Sequence, residues 1–171
     1  MMAGLWRRLD QWARNLTPVG LTLVLIVLGV LPIHVPGYSQ VAPVLAIMSV
    51  YHWAIYRPHL LPAFAVFLLG LVQDLLGGAP VGLHALVMLT VYGTVVWQRR
   101  FLVGKSFVIY WFGFALIGLG ASAESWLLAS LWNLVFLDLR AIFFQYLLAI
   151  GLFPVIAWIF LHWQRAFLQQ E

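Results

Sequence analysis

Apolar runs of about helix length, broken by short polar or Gly/Pro-containing stretches, repeat along the whole chain. Each run is about the length that a helix needs to cross a bilayer. The first runs from about Pro18 to Val35, where Pro36-Gly37 closes it and Pro32 would kink its last turn. The second runs from about Val41 to Tyr56 and ends at Arg57-Pro58; it is short, so tilting or shelter by neighbours is expected. The third spans about His59 to Leu76, the fourth Pro80 to Trp97, the fifth Ser106 to Leu128 or beyond, and the sixth Leu139 to Trp163 with Pro154 inside it. Ahead of them, Leu5, Leu9, Trp12, Ala13 and Leu16 share one helical side, and Arg7, Arg8, Gln11 and Asn15 mostly lie elsewhere. That spacing predicts a short amphipathic helix on a membrane surface, with a flexible basic tail and a cleaved leader as the alternatives. The expectation is an all-α integral membrane protein: an amphipathic segment (1–17), a six-transmembrane-helix bundle (18–164) and a short tail (165–171), or five spans if the second is re-entrant.

Composition strengthens this reading. Apolar residues make up 64% of the 171 residues and charged residues 8%, against about 25% charged in a soluble domain. The charges are also sorted. Of nine Lys and Arg, Arg7, Arg8, Arg14, Arg57, Arg99, Arg100, Lys105 and Arg165 fall on one side of a six-span topology, and Arg140 alone falls on the other. The positive-inside rule then places both termini in the cytoplasm of a multi-pass inner-membrane protein. Trp12, Trp53, Trp97 and Trp163 fall near inner ends and Trp126 and Trp132 near the outer end, as an interfacial belt would. With no cysteine, disulfides, zinc–thiolate sites and cysteine catalysis are excluded. The basic residues are too scattered for a nucleic-acid footprint.

The informative chemistry is the ionisable groups within the apolar runs, which are expensive there. Asp74 precedes the break Gly77-Gly78-Ala79-Pro80, with Gly82 and His84 following. It lies roughly 25 Å up the third helix from Arg57, in the outer quarter of a core about 30 Å thick. Glu124 falls at a similar height above Lys105; His34, His84, Asp138 and Arg140 also lie toward the outer side, and the inner half of the spans reads as almost purely apolar. A proton or ion path needs such groups across the full depth, so that function is disfavoured. The expected role of Asp74 is a polar lock that accepts backbone N–H groups of the Gly77–Gly82 break or pairs with His84 or Arg140, with direct partner contact as the alternative. For Glu124 the first candidate partner is Arg140 and the second is another protein. Gly118, Ala121, Ser122, Ser125 and Ala129 share a face of the fifth span, suited to close approach of another helix. His34 and His84 lack a second ligand at i+4, so neither reads as metal-binding. Neither HExxH, nor a Walker loop, nor a paired-aspartate motif is present, and Gly104-Lys105-Ser106 lacks the upstream glycine of a phosphate loop. Catalytic, metal and cofactor sites are therefore not expected.

The run Gly70-x-x-x-Asp74-Leu75-Leu76-x-Gly78-x-Pro80-x-Gly82-x-His84, with the six-span pattern and cytoplasmic ends, resembles the bacterial rod shape-determining MreD family. Asp74, Pro80 and Gly82 match the family's D-x(5)-P-x-G core; elsewhere the likeness is one of size and hydropathy. The resemblance implies a non-enzymatic inner-membrane subunit of the cell-elongation machinery. Such a subunit binds the membrane helix of MreC, and through it is linked to MreB filaments, RodA and its transpeptidase partner in peptidoglycan synthesis. It further implies a fold similar to the substrate-binding subunits of energy-coupling-factor vitamin transporters, which supplies the alternative of small-molecule capture from the outer side. The short outer loops (about Pro36–Gln40, Gly77–Ala79 and Trp132–Asp138) favour the scaffold.

Overall fold

The computed structural model describes the backbone of residues 2–31 and 38–168, and the side chains of residues 16–31 and 43–166. Within these residues the chain is all-helical: α1 (Met2–Val30), α2 (Tyr38–Tyr56), α3 (Ala63–Gly77), α4 (Leu83–Leu102), α5 (Phe107–Asn133) and α6 (Leu139–Leu168). His34, Pro32 and the Pro36-Gly37 break lie outside the described residues. The connections after α2, α4 and α5 are a few residues long, so successive helices run antiparallel. One end of the bundle carries the α3–α4 hairpin. At the opposite end the C-terminal parts of α2 and α6 meet the start of α5.

Several boundaries differ from those expected. α1 runs through Pro18 without interruption, so the surface segment and the first apolar run are one helix. Thr22 Oγ1, one turn on, donates to the Pro18 carbonyl at 2.7 Å. α3 begins only at Ala63, because Arg57–Pro62 forms a turn in which the Leu60 and Leu61 N–H groups reach back to Arg57 and Pro58. Its 15 residues span about 22 Å, less than a bilayer core of about 30 Å. α4 starts at Leu83 rather than Pro80. α5 continues to Asn133 and stops where Leu134 enters the left-handed region, φ 53°.

The centre of the bundle is α2. It packs against α1, α4 and α6, while α3 bridges α1 to α4 and α5 bridges α4 to α6. Ala46–Ile55 is buried without a gap. That fits a helix with no single apolar face: one that is apolar all round belongs inside. Its short apolar stretch goes with shelter by neighbours on several sides. Trp53, expected in an interfacial belt, is fully buried in this core, whereas Trp97 and Trp132 are 80% and 69% exposed. Tyr51, Tyr110, Phe114 and Phe153 join α2, α5 and α6, with the Phe114 and Phe153 rings stacked at 4.0 Å. α5 and α6 are the two described helices long and apolar enough to cross a membrane by length and composition; α1, α2 and α3 contain shorter apolar stretches. Their outward surface is dominated by Phe112, Leu116, Leu131, Phe143, Phe144 and Trp158, a continuous apolar cover that belongs in lipid.

Candidate functional site

The α3–α4 hairpin is built round Asp74. α3 ends at Gly78, whose φ of 68° lies in the left-handed region, and the Gly78 and Ala79 N–H groups cap onto the Asp74 carbonyl. Pro80 carries the chain across the turn, and Gly82, at φ 99°, sets the start of α4. Both glycines occupy conformations that a Cβ would strain. The fold of the turn aims the first N–H groups of α4 at the Asp74 carboxylate. The Gly82 N–H donates to Oδ2 at 2.8 Å and the His84 N–H to Oδ1 at 3.0 Å; His84 Nδ1 lies 2.7 Å from Oδ1. Asp74 is fully buried, and the His84 side chain is 17% exposed. Charge-assisted bonds to a carboxylate at a helix N-terminus are individually strong and reinforced by the helix dipole. Deeper in the hairpin, α3 and α4 are in backbone contact: a Cβ on Gly70 would lie 2.3 Å from Ala85 Cα.

Arg140 joins neither carboxylate. It stands exposed in the first turn of α6, its N–H donating to Asp138 Oδ1 at 2.9 Å. Glu124 instead accepts from Thr90 Oγ1 of α4 at 2.9 Å. With α5 running on to Asn133, Glu124 lies about 13 Å below the end of that helix. It lies about 26 Å from the start of α5, and its partner Thr90 is six residues past the His84 that binds Asp74, about 9 Å along α4, so the two carboxylates belong to separate places.

Two cavities flank the hairpin and share Pro43, Ala79 and His84. One, of about 300 Å³, is lined by α1, α2 and α3. Gln73 borders it, 5% exposed, with Nε2 at 3.4 Å from the Pro43 carbonyl and Oε1 without a partner. The other, of about 250 Å³, is lined by Gly118, Ala121, Ser122 and Ser125 of α5 together with Leu83 and Tyr146. The small-residue face of α5 thus borders a cavity, across which Ile142, Tyr146 and Ala149 of α6 face it. Gly118 meets the Tyr146 ring edge, where an added Cβ would stand 3.6 Å away.

A second buried polar cluster, at the opposite end, was not expected, since that half had read as apolar. His52 is fully buried, with Nδ1 2.9 Å from the Tyr110 hydroxyl and Nε2 3.2 Å from Gln164 Oε1. The Tyr51 hydroxyl donates to the Tyr110 carbonyl at 2.8 Å. A neutral His52 that donates from Nε2 and accepts at Nδ1 satisfies both ring nitrogens, the Tyr110 hydroxyl and Gln164 Oε1, while the neighbouring Trp53 Nε1 is buried without a partner. The node ties α2, α5 and α6 together. The one hint in the sequence was the placing of Tyr51, His52 and Trp53 inside an apolar run, which does not identify partners. Among the described residues no group of three or more acidic or imidazole side chains is arranged to hold a metal. The arrangement offers acceptors and donors that fix helix positions.

The family model for rod shape-determining protein MreD matches residues 10–170, nearly the whole chain. No curated protein and no solved structure matches it.

Proposed function

Because the chain belongs to the rod shape-determining protein MreD family, we propose that it is a non-enzymatic scaffold of the cell-elongation complex. It sits in the bacterial inner membrane as six spans with both termini cytoplasmic, and it binds the membrane helix of MreC. Through that contact it helps organise peptidoglycan synthesis by RodA and its transpeptidase partner alongside MreB. The family match over residues 10–170 carries this reading. The architecture agrees with it: polar groups pin helices to one another, and the apolar flanks of α5 and α6 are free for lipid or another helix.

Two measurements test the proposal. Affinity capture of the tagged full-length chain from membranes should recover MreC; recovery of a paired ATPase module instead would point to vitamin transport. Topology can be read by single-cysteine labelling, since the natural chain has no cysteine. Lys105→Cys should react only after the membrane is opened, and Val135→Cys in intact spheroplasts. The reverse pattern would overturn the orientation. The two cavities beside the hairpin and the unpartnered Gln73 Oε1 favour the small-molecule alternative, and native mass spectrometry of the purified protein with a bound metabolite would establish it.

A further inference from the structure

On the outside of the α4–α5 pair a groove of about 330 Å³ runs between Thr90, Thr94 and Gln98 on one wall and Gly120 and Glu124 on the other. The three α4 residues stand four apart, so they form one stripe along the helix, about 12 Å long. Leu86, Trp97, Leu116 and Leu127 around it are all exposed, so the groove opens into the apolar surface of the bundle. Glu124 is half-buried at its floor, about 26 Å along α5 from Phe107 and about 13 Å from its end. Its carboxylate offers about four lone-pair sites, and its one hydrogen bond among the described residues comes from Thr90 Oγ1, a hydroxyl that also lies 3.0 Å from the Leu86 carbonyl. An ionisable group held this way in a membrane calls for a covering donor. Beside it, a Cβ on Gly120 would meet nothing within 4 Å, so no described residue covers that backbone.

We propose that this groove seats a membrane helix of another protein, one that brings a hydrogen-bond donor or a cationic side chain to Glu124. The inference rests on the scaffold reading above and names its contact surface. Charge complementarity selects the occupant. Acyl chains supply no donor. A second copy of this chain is a poor match, because the Thr90 hydroxyl is already directed at Glu124 and Leu86, and the Thr94 hydroxyl at the Thr90 carbonyl at 2.7 Å. That leaves Gln98 as the donor its stripe would bring to a sister Glu124.

The test is cysteine cross-linking and capture with the full-length chain co-expressed with tagged MreC. Under mild oxidation Thr94→Cys should cross-link to single cysteines along one face of the MreC membrane helix, and Val155→Cys on α6 should not. Glu124→Ala and Gly120→Leu should each lower the MreC captured by about fivefold or more; unchanged thermal unfolding shows that the fold is retained. Glu124→Gln, which keeps hydrogen bonding, should lose less. If the wild-type chain captures MreC but the cross-links form at Val155→Cys and the groove variants bind normally, the groove assignment is overturned while the scaffold reading stands. A Thr94→Cys homodimer in place of the MreC adduct overturns the choice of occupant. Failure of the wild-type chain to capture MreC at all refutes the scaffold reading and this inference with it.

Discussion

The two buried polar clusters solve the same problem in different ways. At the hairpin, a carboxylate gathers donors from its own neighbourhood: Gly82 and His84 lie 8 and 10 positions from Asp74. At the other end, a neutral imidazole joins groups 58 and 112 positions away, Tyr110 and Gln164. The first fixes a turn between adjacent helices and depends on charge. The second fixes the arrangement of three helices and depends on shape, since the node is also packed by the Tyr56 and Phe160 rings, 4.9 and 5.1 Å from the His52 ring. A charged lock suits a place where many backbone N–H groups are concentrated, as at the start of α4. A neutral node suits a region with one donor and one acceptor facing each other, where a charge would be left unpaired.

The comparison can be broken by substitution. Asp74→Ala should have the largest effect, about 3 kcal/mol or more of lost stability, because it strands buried donors on Gly82 and His84. Thermal unfolding in detergent measures it. His52→Ala should cost about 2 kcal/mol, combining two neutral hydrogen bonds with the gap left among the aromatic rings. Equal losses for the two variants would remove the distinction between a charged and a neutral lock. Gly70→Ala should cost about 1–3 kcal/mol by forcing α3 and α4 apart; its hydrogen exchange should rise in the hairpin and leave the His52 end unchanged. Tyr110→Phe keeps the ring packing and removes one bond to His52, so a loss of about 0.6–1.7 kcal/mol is expected. Gly118→Ala should change stability by less than about 0.5 kcal/mol, since the new methyl would make only ordinary contact with Tyr146. A larger loss there would mean that the cavity face is packed more tightly than its geometry indicates.

How much of this was legible in the sequence follows from the range of each interaction. The hairpin was readable because Asp74, the glycines and His84 stand within a dozen residues, where turn chemistry constrains them directly. The partner of Glu124 was misassigned. Arg140 was the complementary charge nearest on paper, but the helices place Thr90 of α4 beside it. The His52 node was invisible as a node because each member sits singly in an apolar run. Trp53 was misplaced because an aromatic near a helix end fits a belt and a core equally well until its neighbours are known.

The sequence by itself determined the helical class, the number of apolar elements, the family, and the Asp74 turn that joins α3 to α4. These depend on composition and on contacts over short separations, where the chain's own periodicity and turn residues suffice. Tertiary structure alone decided that α2 is the centre, that the small-residue face of α5 borders a cavity, and that Glu124 opens onto an outer groove. In a chain this apolar, nearly every helix can face a neighbour or lipid at similar cost. Which helices meet is therefore settled by how the surfaces fit together, and that fit is a property of the whole bundle.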